Sequence, residues 1–171
     1  MADQHYDPMT IYDPAIVVGS ESVDIGAPAA LVWEILTDLD RYGEWNPFCV
    51  SAKSTFEIGA PIVMSLMNYV TPGSIMRHVE YICAYEPEKL LSWELFSTPQ
   101  WPYPARRDQM IQSLGPARCR YRSTDAFTGD NGIHVMRFAG PWIARAFNDT
   151  ARALKQRAEA FHAERTRAQA V

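Results

Sequence analysis

An α+β domain, a curved seven-stranded antiparallel sheet closed around one long C-terminal helix, is the fold this sequence predicts. Three observations carry it. Two short helical segments follow a first strand, apolar and polar residues then alternate with period two from about residue 48 to 127, and one long amphipathic segment closes the chain. At 171 residues and 47% hydrophobic content there is material for one core of this kind and not for two of typical size. The expected division is an N-terminal arm over 1–19, the domain proper over 20–165 and a short tail over 166–171.

The arm contains a local echo, Tyr6-Asp7-Pro8 and Tyr12-Asp13-Pro14, whose prolines favour extended or turn backbone. Tyr6, Met9, Ile11 and Tyr12 give it apolar surface, so a strap lying across the domain and a mobile leader both fit. Residues 20–26 alternate with Val23 and Ile25 on one side, which is a strand. Pro28 then opens a helix at a position where its missing N–H costs nothing, and Leu31, Val32, Ile35 and Leu36 follow at helical spacing. Asp38 and Asp40 break it, and residues 41–48 suit a second short helix that Pro47 ends.

From there the period is two. Strands are expected over 48–57, 61–69, 74–85, 90–96, 107–114 and 118–127, with turns at Gly59, Pro72-Gly73, Glu86-Pro87-Glu88, Gly115-Pro116 and Gly129-Asp130. Between residues 97 and 105, Pro99, Pro102 and Pro104 surround Trp101 and Tyr103 and prevent regular pairing; an aromatic lid and a rigid surface loop are both compatible with this. Pro141 is expected to begin the long helix, in which Ile143, Phe147, Leu154, Ala158 and Phe161 form one apolar stripe.

Charge and motifs narrow the function. The net charge is −4 and the 16 Lys and Arg are scattered apart from a basic end beyond Glu159, so nucleic acid is not an expected partner. No basic-then-apolar leader opens the chain and no apolar run is long enough to span a bilayer, which makes a cytoplasmic protein without a membrane span the expectation. Cys49, Cys83 and Cys119 are far apart in strand-like stretches and read as reduced core thiols. His5, His78, His134 and His162 are isolated, and there is no phosphate-binding glycine loop, so neither metal nor other cofactor is expected.

Alternation selects the side chains able to meet a ligand, because only one face of a curved sheet points at the helix. Over 74–85 the set Ile75, Arg77, Val79, Tyr81, Cys83 is the more apolar and is assigned inward. The same logic turns Met64 and Leu66, Trp93 and Leu95, and Tyr121, Ser123, Asp125 and Phe127 inward, with Phe147 facing them from the helix. An inward Arg77 beside Asp125 would be costly unless paired with it or with a ligand, and would anchor a carboxylate, phenolate or carbonyl with Tyr81 as donor. The alternative phase puts Arg77 in water and His78 or Glu80 inside.

The segment from Ser22 to Phe48, with Ala27-Pro28 before a helix carrying Val32-Trp33, Asp38 near its end and then Trp45-Asn46-Pro47-Phe48, resembles the opening of the polyketide cyclase/dehydratase-like branch of the SRPBCC superfamily, which includes START-related lipid-transfer domains and the birch-pollen-allergen family. Leu90-Leu91-Ser92-Trp93 and Asp125-Ala126-Phe127-Thr128-Gly129 are similar to later strands of that branch. The resemblance spans roughly 20–165 and implies the helix-grip fold. It also implies that Trp45, Asn46 and Phe48 close one end of a cavity, and that Asp108 and Met110 line the penultimate strand, Asp108 standing where members of the branch often carry His.

The expected function is binding of a hydrophobic small molecule, a lipid, polyketide or aromatic compound, in an internal cavity. Alongside it stands a metal-free cyclase or dehydratase in which Arg77 and Tyr81 polarise a carbonyl and Asp108 and Asp125 act as acid and base. A third reading is a protein-interaction module, and a homodimer is compatible with any of them.

Overall fold

The computed structural model describes residues 7–100 and 102–169, so Tyr6 and Trp101 lie outside the described residues. Its spine is an antiparallel sheet in the order β1-β8-β7-β6-β5-β4-β3, with β2 also pairing on β8. β1 (Val17–Gly19) and β2 (Val23–Ile25) lie along the two halves of β8 (Arg118–Ala126); in place of the single strand expected over 20–26, residues 20–22 lie between two short strands, and β1 comes from the segment read as arm. At the break between them the Ser20 amide donates to the Ser123 carbonyl at 2.8 Å and the Ser123 amide donates to the Ser20 hydroxyl at 3.0 Å. The ladder is therefore carried across the irregularity by a side chain.

β3 (Cys49–Lys53), β4 (Pro61–Met67), β5 (Ile75–Glu86), β6 (Leu90–Leu95) and β7 (Ala105–Gly115) complete a meander in which each strand pairs with the next in sequence. Hairpin connectivity of this kind builds a sheet that twists and curls without crossovers. Its inner face is covered by α2 (Ala29–Thr37) and by α3 (Gly132–Gln169). Between them lies the core, where Ile25, Val32, Leu36, Ile62, Leu91, Tyr121 and Leu154 are out of contact with water. Ala146, Ala151 and Ala158 on α3 are also fully buried, and their small side chains let the helix backbone approach the sheet closely.

Three further expectations on the elements are corrected. The second short helix is a 3-10 segment over Leu39–Glu44, ending before Trp45 rather than at Pro47, because Asn46 Oδ1 accepts the amides of Phe48 and Cys49 at 3.0 and 2.9 Å and turns the chain into β3. The long helix starts at Gly132, and Pro141 lies inside it. Proline there removes one backbone hydrogen bond, yet the turn before it is held by an apolar face, with Ala139 buried against the core. In the arm, the repeated Asp-Pro pairs are helix starts. Asp7 caps α1 (Pro8–Ile11) by accepting from the Met9 amide at 3.0 Å, and Asp13 caps a 3-10 turn (Pro14–Ile16) by accepting from Ala15 at 2.9 Å.

The arm lies over the outer face of the sheet. The Tyr12 phenol is close enough to Arg106, Asp108, Cys83 and Glu94 to feel their charges, and burial is the chief cause raising its pKa. The Phe127 amide donates to the Ile16 carbonyl at 3.0 Å, fixing the arm to the end of β8. Among the described residues no helix is long and apolar enough to cross a membrane.

Candidate functional site

The sheet and the first turns of α3 do not meet completely. They leave a cavity of about 490 Å³ walled by Phe48 on the approach to β3, Met64 and Leu66 on β4, Trp93 and Leu95 on β6, Phe127 past β8, and Val135, Ala139, Trp142 and Phe147 on α3. The helix segment 132–140, ahead of the expected start, supplies the roof. Phe138 lines the space and is still 80% exposed, so it stands at the opening rather than deep inside. The wall is mostly aromatic and apolar, as ligand cavities of this size are.

Four charged or titratable groups converge on one side of it: His78 and Glu80 of β5, Arg107 of β7 and Asp125 of β8. Arg107 is 6% exposed. Its guanidinium lies 4.1 Å from the centre of the Phe147 ring, 5.5 Å from Trp93 and 5.8 Å from Phe48, and its Nε donates to Ser123 Oγ at 3.3 Å. The planar cation is thus bedded on aromatic faces, an arrangement that suits arginine better than lysine. Arg107 and Asp125 are direct partners in the β7–β8 ladder, so both side chains rise from the same face. Asp125 Oδ1 is buried without a hydrogen-bond partner.

Electrostatics follow from that enclosure. Burial pushes the Asp125 carboxyl up to about 8, with the Glu80 charge adding to the rise and Arg107 and His78 opposing it. His78 Nε2 and Glu80 Oε1 are 2.9 Å apart, and this bond raises the His78 pKa against the opposing effect of burial. Near neutral pH the wall therefore holds a protonated Asp125 carboxyl, beside the hydrogen-bonded His78–Glu80 pair and one arginine. The indole N–H groups of Trp93 and Trp142 are buried and unpartnered at the same cavity, two further donors. Among the described residues no group of three or more His, Cys, Asp and Glu could hold a metal ion. Burial raises all three cysteine thiols to about 11.

Of the residues singled out from sequence, Phe48, Met64, Leu66, Trp93, Leu95, Asp125, Phe127 and Phe147 line the cavity. Arg77, Val79 and Tyr81 do not. The phase of β5 is opposite to the one expected: Met76, His78, Glu80 and Ile82 turn inward, while Ile75, Val79 and Tyr81 are 58%, 41% and 37% exposed on the outer face. Tyr81 stacks there on Phe96, ring centres 5.4 Å apart. A register shift between Ile82 and Ala84 then returns Tyr85 to the inside, against Trp33, so no single alternation describes the whole strand.

Asp108 and Met110 are also on the outer face. Asp108 is fully buried there, accepting from Ser92 Oγ at 2.5 Å and from Arg106 Nε at 3.0 Å, which makes it part of a polar cluster between sheet and arm and keeps it apart from Asp125. Tyr121 and Ser123 face inward behind the cavity wall: Tyr121 donates to Gln109 Oε1 at 3.0 Å, and Ser123 supports Arg107. Trp45 packs edge-on to Tyr42 at 5.3 Å, and Asn46 Oδ1 also accepts from Thr150 Oγ1 at 3.3 Å, tying the turn to α3. The sequence reading missed Arg107, the most enclosed cation. Arg106-Arg107-Asp108-Gln109 is polar in both phases, so alternation offers no signal; only its ladder partnership with Asp125 would have given it.

Sequence and structure comparisons agree with this architecture. The family model described as polyketide cyclase / dehydrase and lipid transport matches residues 17–159. Among solved structures, an aromatase/cyclase from a Streptomyces species is 18% identical, with 84% of this chain and 93% of that chain covered and a TM-score of 0.64. A START superfamily protein from Mycobacterium smegmatis is 15% identical over 85% of this chain and 98% of that one, with a TM-score of 0.62. A protein from Nitrosomonas europaea aligns with the same identity, coverages and TM-score, 15%, 85%, 98% and 0.62. At these identities the likeness is one of fold. No curated protein matches the sequence significantly.

Proposed function

Because the chain belongs to the polyketide cyclase / dehydrase and lipid transport family, we propose that it binds a hydrophobic small molecule, a lipid, polyketide or aromatic compound, between the sheet and the first turns of α3. One observation carries the reading: the interior stops short of closing, leaving about 490 Å³ walled by aromatic, aliphatic and methionine side chains. Apolar surface left facing such a space forgoes the stabilisation of burial, roughly 25 cal/mol per Å², and a ligand of matching shape restores it. Methionines at positions 64 and 76 supply wall that adapts to shape.

Native mass spectrometry of gently purified protein tests this directly, with a bound mass that dissociates on activation as the expected result. A neutral solvatochromic dye should also be taken up saturably, one per chain. Ala139→Trp, which projects an indole into the cavity from α3, should weaken that uptake about tenfold or more by occupying the volume. A clean unliganded mass together with no saturable uptake would refute the proposal.

A second reading, an acid–base enzyme of the cyclase or dehydratase type, is favoured by the Asp125 carboxyl, held protonated by burial beside Arg107 and the His78–Glu80 pair. Such a set can polarise a carbonyl and move a proton. Arg77 and Tyr81, on the outer face, take no part in it. Turnover of a poly-carbonyl substrate that Asp125→Asn abolishes while dye uptake persists distinguishes the enzyme from the carrier.

A further inference from the structure

The charge of the cavity wall does not balance. His78 and Glu80 are bonded to one another at 2.9 Å, so each already has its partner on this wall. Arg107 has no such partner: it is nearly sealed from water, its Nε goes to the neutral Ser123 hydroxyl at 3.3 Å, and no carboxylate among the described residues forms an ion pair with it. Even Asp125, its neighbour across the ladder, leaves Oδ1 without a hydrogen-bond partner. The guanidinium turns instead onto the rings of Phe147, Trp93 and Phe48 at 4.1, 5.5 and 5.8 Å, all of which line the cavity.

A buried cation held by the neutral hydroxyls of Ser123 and Tyr121 and by ring faces lacks its counterion, and the same low-dielectric surroundings that make this costly make an incoming anion bind strongly. A guanidinium laid flat against rings keeps its N–H edges free in plane, which is the geometry that grips two oxygens at once. The rest of the space is apolar and aromatic, so the anion must be one end of a hydrophobic body.

We propose that the cavity selects hydrophobic ligands bearing a single negative charge, aromatic carboxylates or phenolates, with the anionic end seated on Arg107 and the ring system among Phe48, Trp93 and Phe147. This rests on the cavity reading above and assigns it a ligand chemistry. Among the described residues lining the cavity Arg107 is the one Lys or Arg, and of the two histidines there His78 is already bonded to Glu80, so a second charge on the ligand finds no second guanidinium or ammonium. Asp125 stands next to the anion as a protonated donor; around it are Arg107 on β7, His78 and Glu80 on β5, and Asp108 through the sheet, with His134 of α3 and Tyr103 of the preceding loop on the cavity wall.

The test compares naphthoate with naphthamide, of equal shape and unequal charge, by calorimetric titration of the full chain at pH 7. The wild-type protein should bind naphthoate about tenfold or more tightly than naphthamide, the range expected for one charge-assisted contact in a desolvated site. Arg107→Met should erase that preference while retaining naphthamide binding, and Arg107→Lys should keep part of it. If Arg107→Met does not fold, the wild-type comparison still decides. Equal or tighter naphthamide binding overturns the anion selectivity and leaves the cavity reading intact. Failure of both naphthalenes and of the neutral dye overturns both.

Discussion

Asp125 keeps its proton across the neutral range because folding takes the carboxyl out of water, and that has a measurable consequence. With the folded value raised to about 8 from an ordinary 3.8, the folded chain binds a proton that the unfolded chain has released over the whole interval between them. Stability therefore falls as pH rises from about 4 to about 8, by at most about 1.4 kcal/mol per pH unit, and levels off above. Asp125→Asn preserves the shape and removes the titration. Urea unfolding of the two proteins across this range should give a slope for the wild type that the variant lacks; parallel curves would contradict the assignment. Asp125 was recognisable in the sequence because β8 alternates cleanly through Tyr121 and Ser123 to Phe127. Arg107 was not, because its strand offers polar residues to both faces, and the resemblance pointed one position along, to Asp108. A one-residue change of phase moves a side chain from the cavity to the opposite surface, where Asp108 bonds Ser92 and Arg106 under the arm.

At the scale of elements, the order of the strands was legible because turn chemistry punctuates them and the period changes where helices give way to sheet, although the strand expected over 48–57 ends at Lys53 and the one expected over 20–26 is split in two. The phase of β5 was not. Its outer face carries Ile75, Val79 and Tyr81, as apolar as the inner one, and the shift at Cys83 joins two halves of opposite parity. Apolarity marks burial only when one face is wet and polar, and Phe96, just past the end of β6, gives Tyr81 a partner outside. The beginning of α3 was displaced for a different reason: Pro141 reads as a helix start, and tertiary packing overrides that signal. Gly132 is what the true start requires. A Cβ there would meet the Phe127 carbonyl oxygen at 2.1 Å and Ile16 Cγ2 at 3.1 Å, so even alanine must push the helix away from the end of β8 and from the arm. Gly132→Ala should lower unfolding stability by roughly 1–3 kcal/mol and weaken dye uptake, since the same displacement lifts the cavity roof. An unchanged thermal midpoint would show that the contact relaxes freely.

The molecule as a whole combines a closed half and an open half. Toward the C-terminal end of α3, Leu154 and Ala158 are sealed against the core, and exposed ion pairs, Arg152 to Glu21 at 2.6 Å, Arg165 to Glu34 at 2.6 Å and Arg157 to Glu44, tie the helix to the edge strand, α2 and the 3-10 segment. Each pair contributes little alone, but they act on the same length of helix that the core already holds. Residues 132–140 have less beneath them, because the cavity takes the place of a core. One helix thus lies on solid ground for most of its length and bridges a hollow at its start, with Pro141, which cannot complete the backbone ladder, at the junction. Amide hydrogen exchange should accordingly be faster over 132–140 than over 142–158, and slow in the first stretch alone when a ligand fills the space. Uniform protection along the helix would mean that the span is as firmly seated as the remainder. In a molecule built this way, the door and its frame are cut from a single piece of secondary structure: a guest could come and go by lifting nine residues of roof, while the sheet and the far end of the helix keep the shape that receives the next one.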